Sequence, residues 1–87
     1  MLERAVLTAF VATAHSERSK DFYERVLGLK LVSDEEFAIV FDCGGTQLRI
    51  QKVEQLAAQP FTALGWQVDD IRAAMQELGK RGVEFEW

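Results

Sequence analysis

Arg49 is the side chain in this sequence whose surroundings best suit recognition of an anion. It lies between Gln47 and Gln51 in a segment where polar and apolar residues alternate. Alternate residues of a β-strand share a face, so these three lie on one side, and Leu48 and Ile50 lie on the other. A guanidinium presents a planar fork of N–H donors that fits a carboxylate. The pattern predicts a site for an anionic ligand group, with a solvated or salt-bridged arginine on an open sheet face as the alternative.

Other reactive side chains are few. The only histidine, His15, lies where a strand passes into a helix, and the single cysteine, Cys43, stands beside two glycines in a turn. Nucleophilic chemistry at Cys43 would need a base nearby, and His15 is not clearly placed to supply it. The acid pairs at 35–36 and 69–70 fit turn and helix-cap positions better than an acid/base pair. The sequence therefore predicts no catalytic residue.

Composition excludes several classes of function. The chain has 87 residues, of which 48% are hydrophobic and 28% are charged, as in an ordinary small globular domain. A net charge of −4 with scattered basic residues argues against nucleic-acid binding. There is no apolar run of membrane-spanning length, no signal-peptide pattern, and no second cysteine for a disulfide. We therefore expect a cytoplasmic protein that binds neither nucleic acid nor membrane.

The segment 16–32 organises the elements that would position Arg49. It predicts an amphipathic helix capped by the Ser16 hydroxyl, a stop at Gly28 in a left-handed conformation, and a strand from Leu29 to about Ser33. The helix stripe expected to pack against a core consists of Ser19, Phe22, Tyr23, Val26 and Leu27.

Three more strands are predicted in the first half. The segment Ala5–Thr13 is apolar on both faces, which suggests a strand in the middle of a sheet. Alternation predicts a strand over Phe37–Phe41 and another over Gln47–Val53. The Cys43-Gly44-Gly45 connection between them predicts a tight hairpin.

The pattern restarts after a short linker at 55–60, which ends at the only proline. Phe61–Val68 predicts a strand, Asp69 or Asp70 caps a helix that ends at Gly82, and 83–87 predicts another strand. This order repeats the first half with an offset of about 55 residues, as duplicated units do. We therefore divide the chain into a first βαβββ module (1–54), the linker (55–60) and a partial second βαβ module (61–87), together one domain.

This arrangement resembles the vicinal oxygen chelate superfamily of glyoxalases, bleomycin-resistance proteins and extradiol dioxygenases. The resemblance covers essentially the whole chain. The residues that carry it are Arg18-Ser19, Phe22-Tyr23, Val26-Leu27-Gly28-Leu29, Gly65-Trp66-Gln67-Val68-Asp69-Asp70-Ile71, Leu78 and Arg81-Gly82-Val83. It implies an α+β fold of paired βαβββ modules, the second incomplete here, with a ligand cavity between their curved sheets.

The resemblance also indicates which side chains would line that cavity. In the first module these are Thr8 and Phe10 on the first strand, and the Arg49 face of the fourth. In the second module Ala63 and Gln67 would face inward. The full set of expected ligand-binding residues is Thr8, Phe10, Gln47, Arg49, Gln51, Ala63 and Gln67. Phe10 also has a plainer alternative, since a phenylalanine on a strand more often belongs to a core.

Metal-dependent members of the superfamily hold their ion with His and Glu on the first and fourth strands of each module. The corresponding positions here fall on Thr8, on Arg49 or Gln51, and on Ala63, with the last beyond residue 87. A hydroxyl, a cation and a methyl group cannot hold a divalent ion. We therefore expect no metal and no cofactor within these residues.

Two functions remain open at this point. The first is a non-catalytic binder of a small organic molecule, similar to bleomycin-resistance proteins. The alternative is a metal-dependent lyase, isomerase or dioxygenase whose ligands lie beyond residue 87 or on a partner chain. Unpaired strand edges and apolar surface near Phe85 and Trp87 further suggest a homodimer.

Overall fold

The fold was obtained as a computed structural model, which describes residues 1–57 and 59–85. It is an α+β protein whose strands and helices run β1 (Thr8–Thr13), α1 (Ser16–Asp21), β2 (Lys30–Asp34), β3 (Ala38–Cys43), β4 (Thr46–Lys52) and α2 (Ile71–Lys80). Helix α1 continues into a π-helical turn, Phe22–Val26, in which the chain winds more widely before β2. The α+β class and the first βαβββ module predicted from sequence are confirmed.

The four strands form one mixed sheet in the order β1-β4-β3-β2. Strand β1 runs parallel to β4, and β3 is antiparallel to both β4 and β2. Strand β1 is therefore an edge of this sheet, and the central position predicted from its apolar faces is wrong. It is also shorter than predicted, because its ladder begins where Thr8 meets Gln47 near the start of β4.

Glycine ends the helical part of the segment 16–32 and forms the turn of the β3–β4 hairpin. Gly28 has φ of 75°, and Gly44 and Gly45 have φ of 58° and 92°. This backbone region is readily open only to glycine. The two hairpin residues therefore join β3 to β4 in the tightest common turn, as predicted.

The start of α1 differs from its prediction. Ser16 is the first helical residue, and His15 takes the capping position without a side-chain hydrogen bond. The Thr13 hydroxyl instead accepts the His15 N–H at 3.0 Å and lies 2.6 Å from the Ser19 hydroxyl. The last residue of β1 therefore contacts the residue before the helix and a side chain of its first turn, and the cap predicted from Ser16 is not formed. At α2 the prediction is confirmed, since the Asp70 carboxylate accepts N–H groups from Arg72 and Ala73.

The core lies between the sheet and the helical segment after α1. Its buried members are Ile39, Phe41, Leu48 and Ile50, and the Tyr23 ring packs against Phe41 with centroids 5.9 Å apart. Burial raises the pKa of the Tyr23 phenol. The predicted packing role of Tyr23 and the predicted alternation of β4 are both confirmed.

The second half departs further from expectation. The predicted strand over 61–68 makes no strand ladder, and 83–85 is likewise irregular, while the rest of that final strand lies outside the described residues. A strand needs a neighbour to take up its N–H and C=O groups, and none of the described residues offers one there. The helix α2 ends just before Gly82, as predicted. Neither described helix is long and apolar enough to cross a bilayer.

We expect Phe41→Ala to lower the free energy of unfolding by about 3–5 kcal/mol, since its ring is fully buried among core side chains. The matched control is Phe37→Ala, whose ring is 74% exposed and which should change stability by less than about 0.5 kcal/mol. Urea denaturation followed by far-UV circular dichroism measures both. Equal losses in the two variants would place the core elsewhere.

Candidate functional site

Strand register brings the predicted binding residues together. In the β1–β4 ladder, Thr8 lies opposite Gln47, Phe10 opposite Arg49, and Ala12 opposite Gln51. Residues directly opposite one another point to the same side of a sheet. Five of the seven predicted residues therefore share one surface.

That surface lies on the side of the sheet opposite the π-helical turn that carries Tyr23. Leu48 and Ile50 alternate with Arg49 along β4 and are buried in the core beneath Tyr23. We call the opposite side the open face, formed by the side chains of Thr8, Phe10, Gln47, Arg49 and Gln51. Phe10 is 56% exposed there, so its phenyl ring offers apolar surface to a ligand.

The open face continues onto the other two strands. Across the sheet, Phe10, Arg49, Val40 and Ser33 form one row, because Arg49 pairs with Val40 and Val40 with Ser33. Val40 is only 1% exposed. Arg49 thus stands between two apolar residues, Phe10 and Val40, with Ser33 beyond Val40, and its side chain remains 32% exposed.

Glu35 is the partner of Arg49. An Arg49 guanidinium nitrogen donates to Glu35 Oε1 at 3.5 Å, and the Ser33 hydroxyl donates to Glu35 Oε2 at 2.6 Å. The Ser33 hydrogen bond and the nearby Arg49 charge lower the pKa of the Glu35 carboxyl. The salt-bridged alternative for Arg49 is therefore observed, at the long limit of an ion pair.

The turn that carries Glu35 is fixed to β4 by Lys52. The Lys52 ammonium donates at 2.7 Å both to Asp34 and to the Glu35 backbone carbonyl. Lys20 of α1 adds a second cation 3.4 Å from Asp34, and the Lys52 hydrogen bond is the main reason why the pKa of Asp34 is lowered. The backbone of Glu35 is therefore fixed in position by a hydrogen bond from Lys52, although its side chain is exposed.

An apolar cavity opens at one end of the open face. It has a volume of about 440 Å³. Phe10, Gln51 and Ala63 line it together with Leu56 and Phe61 of the following segment. Ala63 thus joins the predicted site, and the cavity lies next to the row that contains Arg49.

Gln67 does not join these residues. It lines two cavities of about 290 and 400 Å³ together with Cys43 and Trp66, and the smaller of the two includes the core-side residues Ala9 and Leu48. The sheet therefore separates Gln67 from Arg49, and the expectation that it faces the same cavity is wrong. Sequence alternation failed here because 61–68 is not a regular strand. Trp66 Nε1 donates to Cys43 Sγ at 3.3 Å.

The donor set gives little support for a metal centre on this face. Within 1–57 and 59–85, no group of three His, Cys, Asp or Glu side chains is arranged to hold an ion. The positions that correspond to metal ligands in metal-dependent relatives, Thr8, Arg49 and Ala63, supply neither imidazole nor carboxylate. The absence of a metal remains a prediction.

Sequence reasoning missed Glu35, which was interpreted only as a turn residue, and Ser33, which was interpreted only as the end of a strand. The glycine turn provides only part of the signal that could have found Ser33, because it fixes the register of β3 and β4. Counting outward from Gly44 and Gly45 pairs Arg49 with Val40, and the next strand then brings Ser33 into the same row. The irregularity between Leu31 and Ser33 shifts that last pairing, so counting alone would have missed it by one residue.

Comparison with known proteins gives a family and a fold. The family model described as Glyoxalase/Bleomycin resistance protein/Dioxygenase superfamily matches residues 5–86. No curated protein matches the chain.

Three solved structures have the same fold at low identity. SMU.1112c is 21% identical with a TM-score of 0.69, over 94% of this chain and 77% of that one. An integron cassette protein, VCH_CASS1, from the mobile metagenome of V. cholerae is 23% identical with a TM-score of 0.68, over 97% and 72%. A lactoylglutathione lyase from Agrobacterium tumefaciens is 20% identical with a TM-score of 0.61, over 93% and 69%. At these identities the likeness concerns the fold alone.

The contacts of Glu35 predict how its pKa responds to substitution. Ser33→Ala and Arg49→Gln should each raise the pKa of Glu35, because the Ser33 hydrogen bond, the largest single influence, and the Arg49 charge both lower it. The measurement is a pH titration of the Glu35 side-chain carbon by NMR. Ser16→Ala, on α1, is the control and should leave the pKa of Glu35 unchanged.

The same shift fixes the sign of the pH dependence of stability. The pKa of Glu35 is lowered on folding, so its contribution is complete above the unfolded pKa and is lost as pH falls through the folded one. Ser33→Ala should therefore reduce the loss of stability in acid. A larger acid sensitivity in this variant would contradict the assignment.

Proposed function

Because this chain belongs to the Glyoxalase/Bleomycin resistance protein/Dioxygenase superfamily, we propose that it is a non-catalytic binder of a small organic anion, similar to bleomycin-resistance proteins. The ligand would lie on the open face. The observation that carries the proposal is the pairing of Phe10 with Arg49 across β1 and β4, which puts an exposed phenylalanine and an arginine next to each other on one face of the sheet.

Each part of the proposed site has a distinct task. The ring of Phe10 and the adjoining cavity of about 440 Å³ would receive the apolar body of the ligand. Arg49 would bind its anionic group through parallel N–H donors. Thr8, Gln47 and Gln51 would provide hydrogen bonds along the same face, and Ala63 leaves room opposite them.

Partner and location are part of the proposal as well. Helix α2 contributes no buried residue, and Ile71 and Phe85 are exposed, so a second copy covering this apolar surface would lower its exposure to water. Trp87, the other residue expected at that contact, lies outside the described residues. The homodimer and the cytoplasmic location both stay predictions.

A pair of probes that differ only in charge tests the anion site. We expect the wild-type chain to bind naphthalene-2-carboxylate about three- to tenfold more tightly than naphthalene-2-carboxamide, since only the carboxylate forms charge-assisted hydrogen bonds with Arg49. Arg49→Gln should abolish this preference, and Phe10→Ala should weaken both probes. Titration followed by ¹H–¹⁵N NMR measures the dissociation constants.

Two control variants match these substitutions. Arg25→Gln removes an arginine that binds Asp21 on the helical segment, and Phe37→Ala removes an exposed ring from the turn before β3. Both should leave probe binding unchanged. Equal affinity of the wild-type chain for acid and amide would contradict an anion site at Arg49.

Metal analysis separates the binder from the alternative, a metal-dependent lyase, isomerase or dioxygenase with ligands beyond residue 87 or on a partner chain. We expect substoichiometric zinc, nickel, manganese and iron in the purified full chain, because Thr8, Arg49 and Ala63 supply no strong ligand. Inductively coupled plasma mass spectrometry after dialysis measures this. Stoichiometric metal would favour the enzyme.

A further inference from the structure

The partner of Arg49 occupies the place that a ligand's anionic group would take. Glu35 reaches the guanidinium from the turn between β2 and β3, on the same face as Phe10. An anion bound by Arg49 would carry the same charge as Glu35 and need the same N–H donors. The two carboxylates therefore compete for one cation.

The Glu35–Arg49 contact is built to be exchangeable. It joins one nitrogen to one oxygen at 3.5 Å, whereas Arg25 holds Asp21 through two nitrogens at 2.9 and 3.0 Å. A guanidinium has several N–H donors, and this contact engages it at only one nitrogen. Replacing one long contact by a bidentate pair favours an incoming carboxylate.

Glu35 has three further contacts that do not involve Arg49. The Ser33 hydroxyl binds the second carboxylate oxygen at 2.6 Å, and the Glu35 N–H donates to the Ala38 carbonyl at 2.8 Å. Lys52 holds the Glu35 carbonyl at 2.7 Å. These contacts are independent of Arg49, so we expect them to hold the carboxylate beside the site when a ligand takes the guanidinium.

We propose that Glu35 is an internal counter-ion which the anionic group of the ligand replaces at Arg49, so that the site selects amphipathic acids over simple anions. This rests on the proposed binding function of the same site. A simple anion such as acetate only replaces the Glu35 carboxylate at Arg49, so it gains little binding free energy. An acid with an aromatic body also gains apolar burial against Phe10 and Phe61 in the cavity.

The first test removes the competing charge. Glu35→Gln should tighten binding of naphthalene-2-carboxylate about two- to fivefold, the effect expected of an exposed ion pair, and leave naphthalene-2-carboxamide unchanged. Glu36→Gln removes the neighbouring acid while leaving the Glu35–Arg49 contact in place, and is the matched control. In an Arg49→Gln background, Glu35→Gln should have no effect, because the contested cation is gone.

The second test follows Glu35 itself in the wild-type chain. Saturation with naphthalene-2-carboxylate should raise the pKa of Glu35, since the carboxyl loses its cation and gains an anionic neighbour. The carboxamide should not raise it. The other charged groups near Glu35 are Asp34, Glu36 and Lys52, so the titration is repeated in Glu36→Gln and should give the same rise.

The outcomes distinguish this inference from the function on which it rests. If the wild-type chain prefers the acid through Arg49, but Glu35→Gln binds as Glu36→Gln does and the Glu35 titration is unmoved, the counter-ion role is overturned alone. If neither the wild-type chain nor Glu35→Gln prefers the acid, the anion site and the counter-ion role both fail. An acid preference that is present in the wild-type chain and larger in Glu35→Gln, but not in Glu36→Gln, supports the competition directly.

Discussion

The register of the β3–β4 hairpin is the constraint on which the rest of this structure depends. Gly44 and Gly45 close the two strands in a two-residue turn with positive φ at both positions. A slip of one residue would turn every side chain of a strand to the opposite face. In the observed register Phe41 lies opposite Leu48 in the core, and Arg49 stands on the open face. The register set by this turn thus decides which side chains pack in the core and which lie on the open face.

The open face shows why a charged residue can be used in a small sheet at little cost. About a third of the Arg49 side chain is exposed to water, and its charge is paired with an exposed carboxylate. Neither ion is therefore left unpaired in the interior, where it would destabilise the fold. A buried pair would be far harder to open. The weak contact with Glu35 is therefore compatible with both a stable sheet and an exchangeable partner.

The two halves of the chain differ in how they are held. The first module closes a core around Ile39 and Ile50 through three neighbouring strand pairs. In the second half the described part of the chain supplies a capped helix without a buried side chain. Its link to the first module includes the Arg81 guanidinium, which donates to the Val26 carbonyl at 3.0 Å close to Gly28. The Asp70 cap of α2 forms between neighbouring residues. A strand over 61–68 would instead need a pairing partner, which local sequence cannot provide.

Local signals in the sequence determined the α+β class, the four strands of the first module, the Asp70 cap and the two-faced character of β4. These features follow from residue period and glycine geometry, which act over a few residues. Tertiary structure decided the edge position of β1, the separation of Gln67 from the open face, and the contact between Glu35 and Arg49. All three depend on how distant segments pack together, and the last depends also on the bulge in β2. Such long-range contacts leave no mark at either residue alone.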